Sequence, residues 1–244
     1  MSDASPRVLL AGGLEPSGRA GLLADADAVR AAGGVPLLVA TAVTAQGRRT
    51  FAWRAEWPAL VAAQVRALRE LGPVDAVKLG MVPGGAQLRA LLSALRGLRV
   101  PWVVDPVREA SSGGRLSRLG RSDYLGLGGG QVWFTPNAQE AAWLLNASPV
   151  RTVQGARSAA GALVRHGFAG VVVKGGHLEE AQAVDVLATA AELHVLRGRR
   201  LQRRPEHRGT GCRFASTLAT ELAKGTPALQ AVRRARAAVR AYLR

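Results

Sequence analysis

Short runs of apolar residues alternate along this chain with longer stretches in which apolar side chains return every three or four positions. Residues 8–10 form the first run. They lead through Ala11-Gly12-Gly13 and the turn residues Glu15-Pro16-Ser17-Gly18 into a helical pattern of Leu22, Leu23, Ala26 and Val29. The spacing predicts a strand, a glycine-rich loop and a helix. Residues 36–41 repeat the theme, followed by a polar loop at 46–50 and by Leu60, Val61, Val65, Leu68 and Leu71 at helical spacing. Further strands are predicted at 76–79, 100–104, 131–134 and 170–174. Helices between them are marked by Leu88, Leu91, Leu92, Leu95 and Leu98, by the stretch that Asn137 begins, and by residues 158–166.

Strands that are apolar on both faces need cover on both, so repeated βα units predict an α/β fold with a parallel sheet between helical layers. Runs at 183–187 and 192–196 are close enough to pair as an antiparallel hairpin at the sheet edge. Helices over 210–224 and 227–243 close the chain. The small, polar segment Glu109-Ala110-Ser111-Ser112-Gly113-Gly114 reads as a loop able to cover a site. No repeat or linker divides the 244 residues, so one domain over 1–244 is expected.

Composition narrows the class. Hydrophobic residues make up 48% of the chain in runs too short to span a bilayer, and no basic-then-apolar leader opens it; a cytoplasmic protein without membrane association is expected. Cys212 is the sole cysteine, which excludes an internal disulfide and a thiolate metal cluster. The formal charge is +16, with 33 basic and 17 acidic residues, and only Lys78, Lys174 and Lys224 are lysines. The arginines lie mostly singly on helix faces, without interleaved aromatics or a recognition-helix pattern, so nucleic-acid binding is not expected. Two clusters, 197–204 and 233–240, could attract polyanions, including nucleotide phosphates.

Candidate chemistry collects where strands end. Gly209-Thr210-Gly211-Cys212 directly precedes the helical pattern Phe214, Leu218 and Leu222, so its backbone N–H groups and the helix dipole are open to an anion. A tight turn that needs glycine is the other reading. At a helix start the Cys212 thiol is expected below its usual pKa of about 8.5, as a proton acceptor or hydrogen-bond partner. Asn137 and Glu140 have capping-box spacing, and Glu140 could also hold Mg²⁺ through water. Lys174, before Gly175-Gly176-His177, stands where a nucleotide phosphate could meet it; His177 lacks metal-ligand neighbours and reads as a surface or supporting residue. Asp105-Pro106 ends another strand and could approach a metal or an acceptor hydroxyl, or simply form a turn. Of Asp25 and Asp27, one is expected to face inward.

These residues, in this order, resemble the hydroxymethylpyrimidine and phosphomethylpyrimidine kinases of bacterial thiamine biosynthesis, within the ribokinase superfamily. Eight ordered motifs carry the likeness: the stretch 12–21, Ala24-Asp25, Thr41-Ala42-Val43-Thr44-Ala45-Gln46, Lys78-Leu79-Gly80-Met81, Val104-Asp105-Pro106-Val107, Thr135-Pro136-Asn137 through Glu140-Ala141, Val173-Lys174-Gly175-Gly176-His177 and Gly209-Thr210-Gly211-Cys212. The resemblance implies a ribokinase-like, three-layer α/β/α fold with a mostly parallel central sheet. It implies ATP bound near Asn137, Lys174, Thr210 and Gly211, Mg²⁺ near Asp105 and Glu140, and a pyrimidine pocket lined by Gly13, Asp25, Gln46, Met81 and Val107. Cys212, with Gly209, Thr210 and Gly211, would form the catalytic end, and a homodimer is a common family state. The implied reaction is phosphorylation of 4-amino-5-hydroxymethyl-2-methylpyrimidine, of its monophosphate, or of both. A pyridoxal-type kinase, or a binding paralogue without catalysis, are the alternatives. This chain departs from the family pattern at Glu15, Arg19, Arg108, Ser111, Arg208 and Arg213.

Overall fold

The computed structural model describes residues 5–47, 49–110, 113–176, 178–201 and 207–244; His177, Ser111 and part of the arginine cluster at 197–204 lie outside them. In chain order the strands are β1 (Arg7–Leu14), β2 (Val35–Gln46), β3 (Phe51–Ala55), β4 (Ala76–Leu79), β5 (Trp102–Val104), β6 (Val132–Phe134), β7 (Gly170–Gly175), β8 (Gln182–Thr189) and β9 (Leu193–Arg199). The helices are α1 (Gly21–Ala31), α2 (Pro58–Glu70), α3 (Gly85–Ala94), α4 (Arg121–Leu125), α5 (Ala138–Leu145), α6 (Val153–Val164), α7 (Thr210–Ala223) and α8 (Ala228–Tyr242). The strands form one sheet in the order β3-β2-β1-β4-β5-β6-β7-β8-β9. From β2 to β7 every neighbouring pair is parallel, whereas β3, β8 and β9 pair antiparallel at the edges.

Side-chain alternation along each inner strand feeds two separate cores. Leu9 and Ala11 of β1, Val77 and Leu79 of β4 and Val171 and Val173 of β7 pack with Val61, Leu91, Leu144 and Leu163 of α2, α3, α5 and α6. Val8, Leu10, Ala76 and Val172 point to the other face, against Leu22 and Val29 of α1, Leu218 of α7 and Val232 of α8. Two residues on from Ala76 and Val172, Lys78 on β4 and Lys174 on β7 belong to that same second face. The chain leaves β1 for β2 on one side and returns to β4 on the other, which opens a crevice at the carboxyl ends of β1 and β4.

Several sequence expectations need correction. The predicted loop at 46–50 is shorter, because β2 runs on to Gln46 and pairs with β3 from Ala42↔Ala55 to Gln46↔Phe51. β3 has no buried residue, so it lacks the apolar run that marks inner strands. Gly12 and Gly13 belong to β1 rather than to a loop; a Cβ on Gly13 would lie 2.6 Å from the Met81 sulfur, so glycine lets the two motifs touch. α4 is five residues long, too short to show a helical period. Leu98 falls beyond α3, and Leu71 caps α2 in an exposed position. The described ends of the predicted flap pair with each other: the Ala110 amide donates to the Gly114 carbonyl at 2.7 Å, and Glu109 forms an antiparallel bridge with Arg115. Trp53 of β3 holds it, its indole N–H donating to the Arg115 carbonyl at 2.8 Å.

The two cores and the exposed cap make a direct contrast. Leu163→Ala, in a side chain fully removed from solvent, is expected to cost about 2–5 kcal/mol of stability, and Leu71→Ala, at 71% exposure, less than about 0.5 kcal/mol. Urea unfolding of both variants checks this.

Candidate active site

Every candidate site residue lines a single cleft of about 710 Å³ at the carboxyl edge of the sheet. Gly13, Asp25, Gln46, Met81 and Val107 lie toward β1, β2 and β4; Asn137 and Glu140 open α5; Asp105 and Lys174 end β5 and β7; Gly209 to Cys212 start α7. Arg199, Arg200, Val239 and Arg240 extend the lining toward β9 and α8.

The floor is a buried ion pair. The Lys78 ammonium donates to both Asp25 oxygens at 2.8 and 2.7 Å, and each side chain is 1% exposed. The Ser216 hydroxyl of α7 donates to the same carboxylate at 2.7 Å. Burial is the largest single influence on the Lys78 pKa and would lower it, but Asp25, Cys212 and Asp105 together outweigh it and hold the ammonium above its ordinary range. Asp27, by contrast, is exposed and faces Arg30 and Arg213. Asp25 is therefore the inward one of the two, already engaged by protein groups on both oxygens. Lys78 lay within a quoted motif, yet its place in the site escaped the sequence reading; a lysine inside an otherwise apolar four-residue strand was the available signal.

Above this pair lies the start of α7. Gly209 has φ +70°, and a Cβ there would come within 2.4 Å of the Arg19 carbonyl, so both conformation and contact require glycine. Among the described residues no side chain caps α7, and its start, Gly209 to Cys212, lines the cleft. A second pair adjoins them: Lys174 donates to Asp105 at 2.7 Å, and a Cβ on Gly211 would lie 3.2 Å from the Lys174 nitrogen. The Lys174 pKa is raised, because Asp105 and then Glu140 outweigh the lowering effect of burial. The capping box predicted for α5 is present in both directions: the Asn137 amide donates to Glu140 at 2.7 Å, and the Glu140 amide to Asn137 at 2.8 Å. Burial pushes the Glu140 carboxyl up to about 7, against the pull of Lys174.

Cys212 reverses an expectation. Its thiol is pushed up, not down, to about 11: burial raises it first, the Asp25 and Asp105 carboxylates add to this, and Lys78 and the Gly21 amide oppose them. The helix start is outweighed by two carboxylates and the loss of water. In this environment the Cys212 thiol is neutral at neutral pH.

The departing arginines divide by direction. Arg213 turns away from the cleft, stacking 4.1 Å over Tyr242, and Arg19 is exposed. Arg108 lies 4.0 Å over Trp143 at the cleft wall. Only Arg208 reaches across to a pyrimidine-pocket residue, its Nη2 donating to the Gln46 amide oxygen. Glu15, where the family pattern has aspartate, folds back to accept from the Ser17 amide at 3.1 Å and keeps the turn closed. Arg236 pairs with Asp185 at 2.7 Å, Arg240 with the Arg199 carbonyl at 2.9 Å, and Arg200 with the carbonyls of Gly176, Leu178, Glu180 and Gln182, so much of the basic clustering ties β7 to β9 and α8 together.

A mostly parallel sheet between helical layers, with an anion-facing helix start at its carboxyl edge, defines the ribokinase-like kinases. The chain belongs to the phosphomethylpyrimidine kinase family, whose model matches residues 15–244. It is 38% identical to a hydroxymethylpyrimidine/phosphomethylpyrimidine kinase of Streptomyces coelicolor, over 95% of this chain and 86% of that protein. It superposes on a phosphomethylpyrimidine kinase of Clostridium difficile 630 with TM-score 0.82 and 26% identity, covering 99% of this chain and all of that one. The fold also matches a pyridoxal kinase of Staphylococcus aureus in complex with AMP-PCP and pyridoxal, with TM-score 0.88 at 22% identity, over 98% of this chain and 88% of that one. The chain spans less than half the length of the bifunctional thiamine-biosynthesis proteins of rice, Geobacter sulfurreducens and Arabidopsis thaliana that it also matches.

Two titrations follow from these environments. Alkylation of Cys212 by iodoacetamide in the folded protein is expected to titrate near pH 11; a midpoint below about 8.5 would mean that the helix start prevails. Folded Glu140 keeps its proton up to about pH 7, whereas the ordinary value is 4.5, so the folded state binds more protons between the two and this group's contribution to stability falls across that window. Glu140→Gln retains an acceptor for the Asn137 amide. Its stability relative to the native protein is expected to rise from about pH 4.5 to 7 and then level off, read by urea unfolding at each pH.

Proposed function

We propose that this chain transfers the γ-phosphoryl group of ATP to 4-amino-5-hydroxymethyl-2-methylpyrimidine or its monophosphate, as its family membership suggests. The observation that carries this reading is the start of α7, set beside the Asp105–Lys174 pair in a cleft with two differently lined ends. In the proposed arrangement the pyrimidine occupies the end lined by Gly13, Gln46, Met81 and Val107. A small apolar cluster of Ala42, Met81, Ala110 and Leu116 supplies faces for a flat ring. Gln46 can both donate to and accept from an aminopyrimidine edge. ATP takes the other end, with its phosphates directed at Lys174 and the amides of Thr210 and Gly211.

Among the described residues no group of three or more acidic, histidine or cysteine side chains forms a metal cage. Two carboxylates, Asp105 and Glu140, suit Mg²⁺, which commonly takes one or two carboxylates plus water and substrate phosphates. Such an ion would offset phosphate charge. The chain's own contribution is positional and electrostatic: α7 amides and Lys174 face the transferring group, and the Cys212 S–H, as a donor, orients the acceptor oxygen.

The test is incubation of the purified protein with Mg-ATP and either the hydroxymethylpyrimidine or pyridoxal, with mono- and diphosphate products resolved by chromatography. Pyrimidine-dependent ADP formation, faster than with pyridoxal, is expected; no pyrimidine-dependent ADP would leave the binding-paralogue reading. Cys212→Ala removes one donor and is expected to lower kcat about 100-fold with nucleotide affinity almost unchanged. A kcat within about threefold of native would remove Cys212 from the mechanism.

A further inference from the structure

The Arg208–Gln46 contact crosses the pocket proposed for the pyrimidine. Arg208 immediately precedes the left-handed Gly209, so its side chain leaves the rim of the α7 start and reaches the end of β2, where Nη2 donates to the Gln46 amide oxygen. Its Nε is buried, with no hydrogen-bond partner among the described residues. A guanidinium thus lines the cleft with one donor spent on a neutral amide. Gln46 in turn donates from Nε2 to the Thr44 hydroxyl at 3.2 Å, so its oxygen is the acceptor it would offer a substrate.

On the proposed substrate the 4-amino group and the 5-methylene carbon are neighbours. A ring whose amino group bonds Gln46 therefore carries its 5-substituent beside Arg208, at the edge of the α7 start. A free hydroxyl there offers a guanidinium little. A phosphate offers a charge between about −1.5 and −2 and three acceptor oxygens, and guanidinium–phosphate bonds are roughly twice as strong as bonds to a neutral acceptor.

The geometry points to Arg208 as the residue that selects the phosphorylated pyrimidine, leaving Gln46 for the substrate phosphate and so freeing the Gln46 oxygen for the 4-amino group. This deepens the proposed function and rests on it. In the step it favours, an oxygen of the substrate monophosphate attacks the γ-phosphorus of ATP, and the bond from that phosphorus to the β–γ bridging oxygen breaks. The products are ADP and the pyrimidine diphosphate. An ionised phosphate oxygen has no proton to lose, so this acceptor needs donors around it and not a base. That fits a site whose one thiol stays protonated. The alcohol has both disadvantages: it must displace Arg208 from Gln46 without compensation, and its proton must be taken up elsewhere.

The experiment measures KM for the hydroxymethylpyrimidine and for its monophosphate in the native protein, in Arg208→Gln and in Arg208→Lys. In Arg208→Gln the ratio of the monophosphate KM to the alcohol KM is expected to rise about 10- to 100-fold, because one charge-assisted bond is lost from only one substrate. Arg208→Lys keeps the charge without the fork and is expected to fall between the two, which a purely structural role would not produce. A ratio that rises less than about threefold in Arg208→Gln, or turnover of the alcohol but not the monophosphate by the native protein, overturns the inference alone. Turnover of neither pyrimidine by the native protein overturns the kinase reading and this inference with it.

Discussion

A charged pair that never meets bulk water organises this site. Lys78 comes from the fourth strand, Asp25 from the first helix and Ser216 from the seventh, so one carboxylate joins three elements far apart in sequence. Taking two ions out of water costs several kcal/mol each, and only mutual attraction with complete hydrogen bonding offsets it. Removal of one partner leaves an uncompensated charge, a loss of about 3–5 kcal/mol in comparable pairs, so the three elements have little freedom to separate. Since Ser216 lies one turn beyond Cys212, the contact that fixes α7 against the sheet also fixes where its amides point. The same charges set the thiol: Asp25 raises the Cys212 pKa and Lys78 opposes it.

A second consequence concerns the excess of arginine. A formal charge of +16 invites a reading as a polyanion-binding surface. Near the cleft, however, the guanidinium groups are mostly occupied: Arg200 on four backbone carbonyls, Arg236 on Asp185, Arg213 on the Tyr242 ring and Arg108 on that of Trp143. Arginine performs here the work of structural hydrogen bonding as well as charge. Arg208 stands apart because its guanidinium reaches Gln46, at the pyrimidine end of the cleft.

The sequence made the architecture legible wherever a strand was apolar on both faces. β4 at 76–79, the hairpin of β8 and β9, and the two closing helices lie where periodicity puts them. Elements that escaped are those whose stability is not local. β3 has no buried side chain and exists because β2 offers it an edge; α4 is a single turn held by Asp123, which accepts from the Gly120 amide at 2.8 Å. The grouping of the site residues was legible for a different reason. Each ends a strand or begins a helix, and parallel strands bring all their carboxyl ends to one edge. The state of the thiol was not legible, because spacing reveals that Cys212 begins a helix but says nothing of the two carboxylates that the fold packs near it. Nor could spacing show that Arg213 turns outward and Arg208 inward, five residues apart on opposite sides of one glycine-rich turn.

That last difference bears on what the site can become. Cys212 lies between the starts of α1 and α7, with the Gly21 amide directed at its sulfur, and the neutral thiol adds a donor to a surface already rich in donors. Such a surface stabilises negative charge that arrives already formed; it does little to create it. An alcohol acceptor would have to generate its anion in surroundings where two buried carboxylates, Asp25 and Asp105, disfavour more negative charge and are themselves engaged by Lys78 and Lys174. A phosphate acceptor brings its charge with it and gains from Arg208, the α7 amides and the thiol together. The buried pair that fixes the helix start therefore also biases the chemistry, because the carboxylate that anchors α7 is one of the two that keep its cysteine protonated.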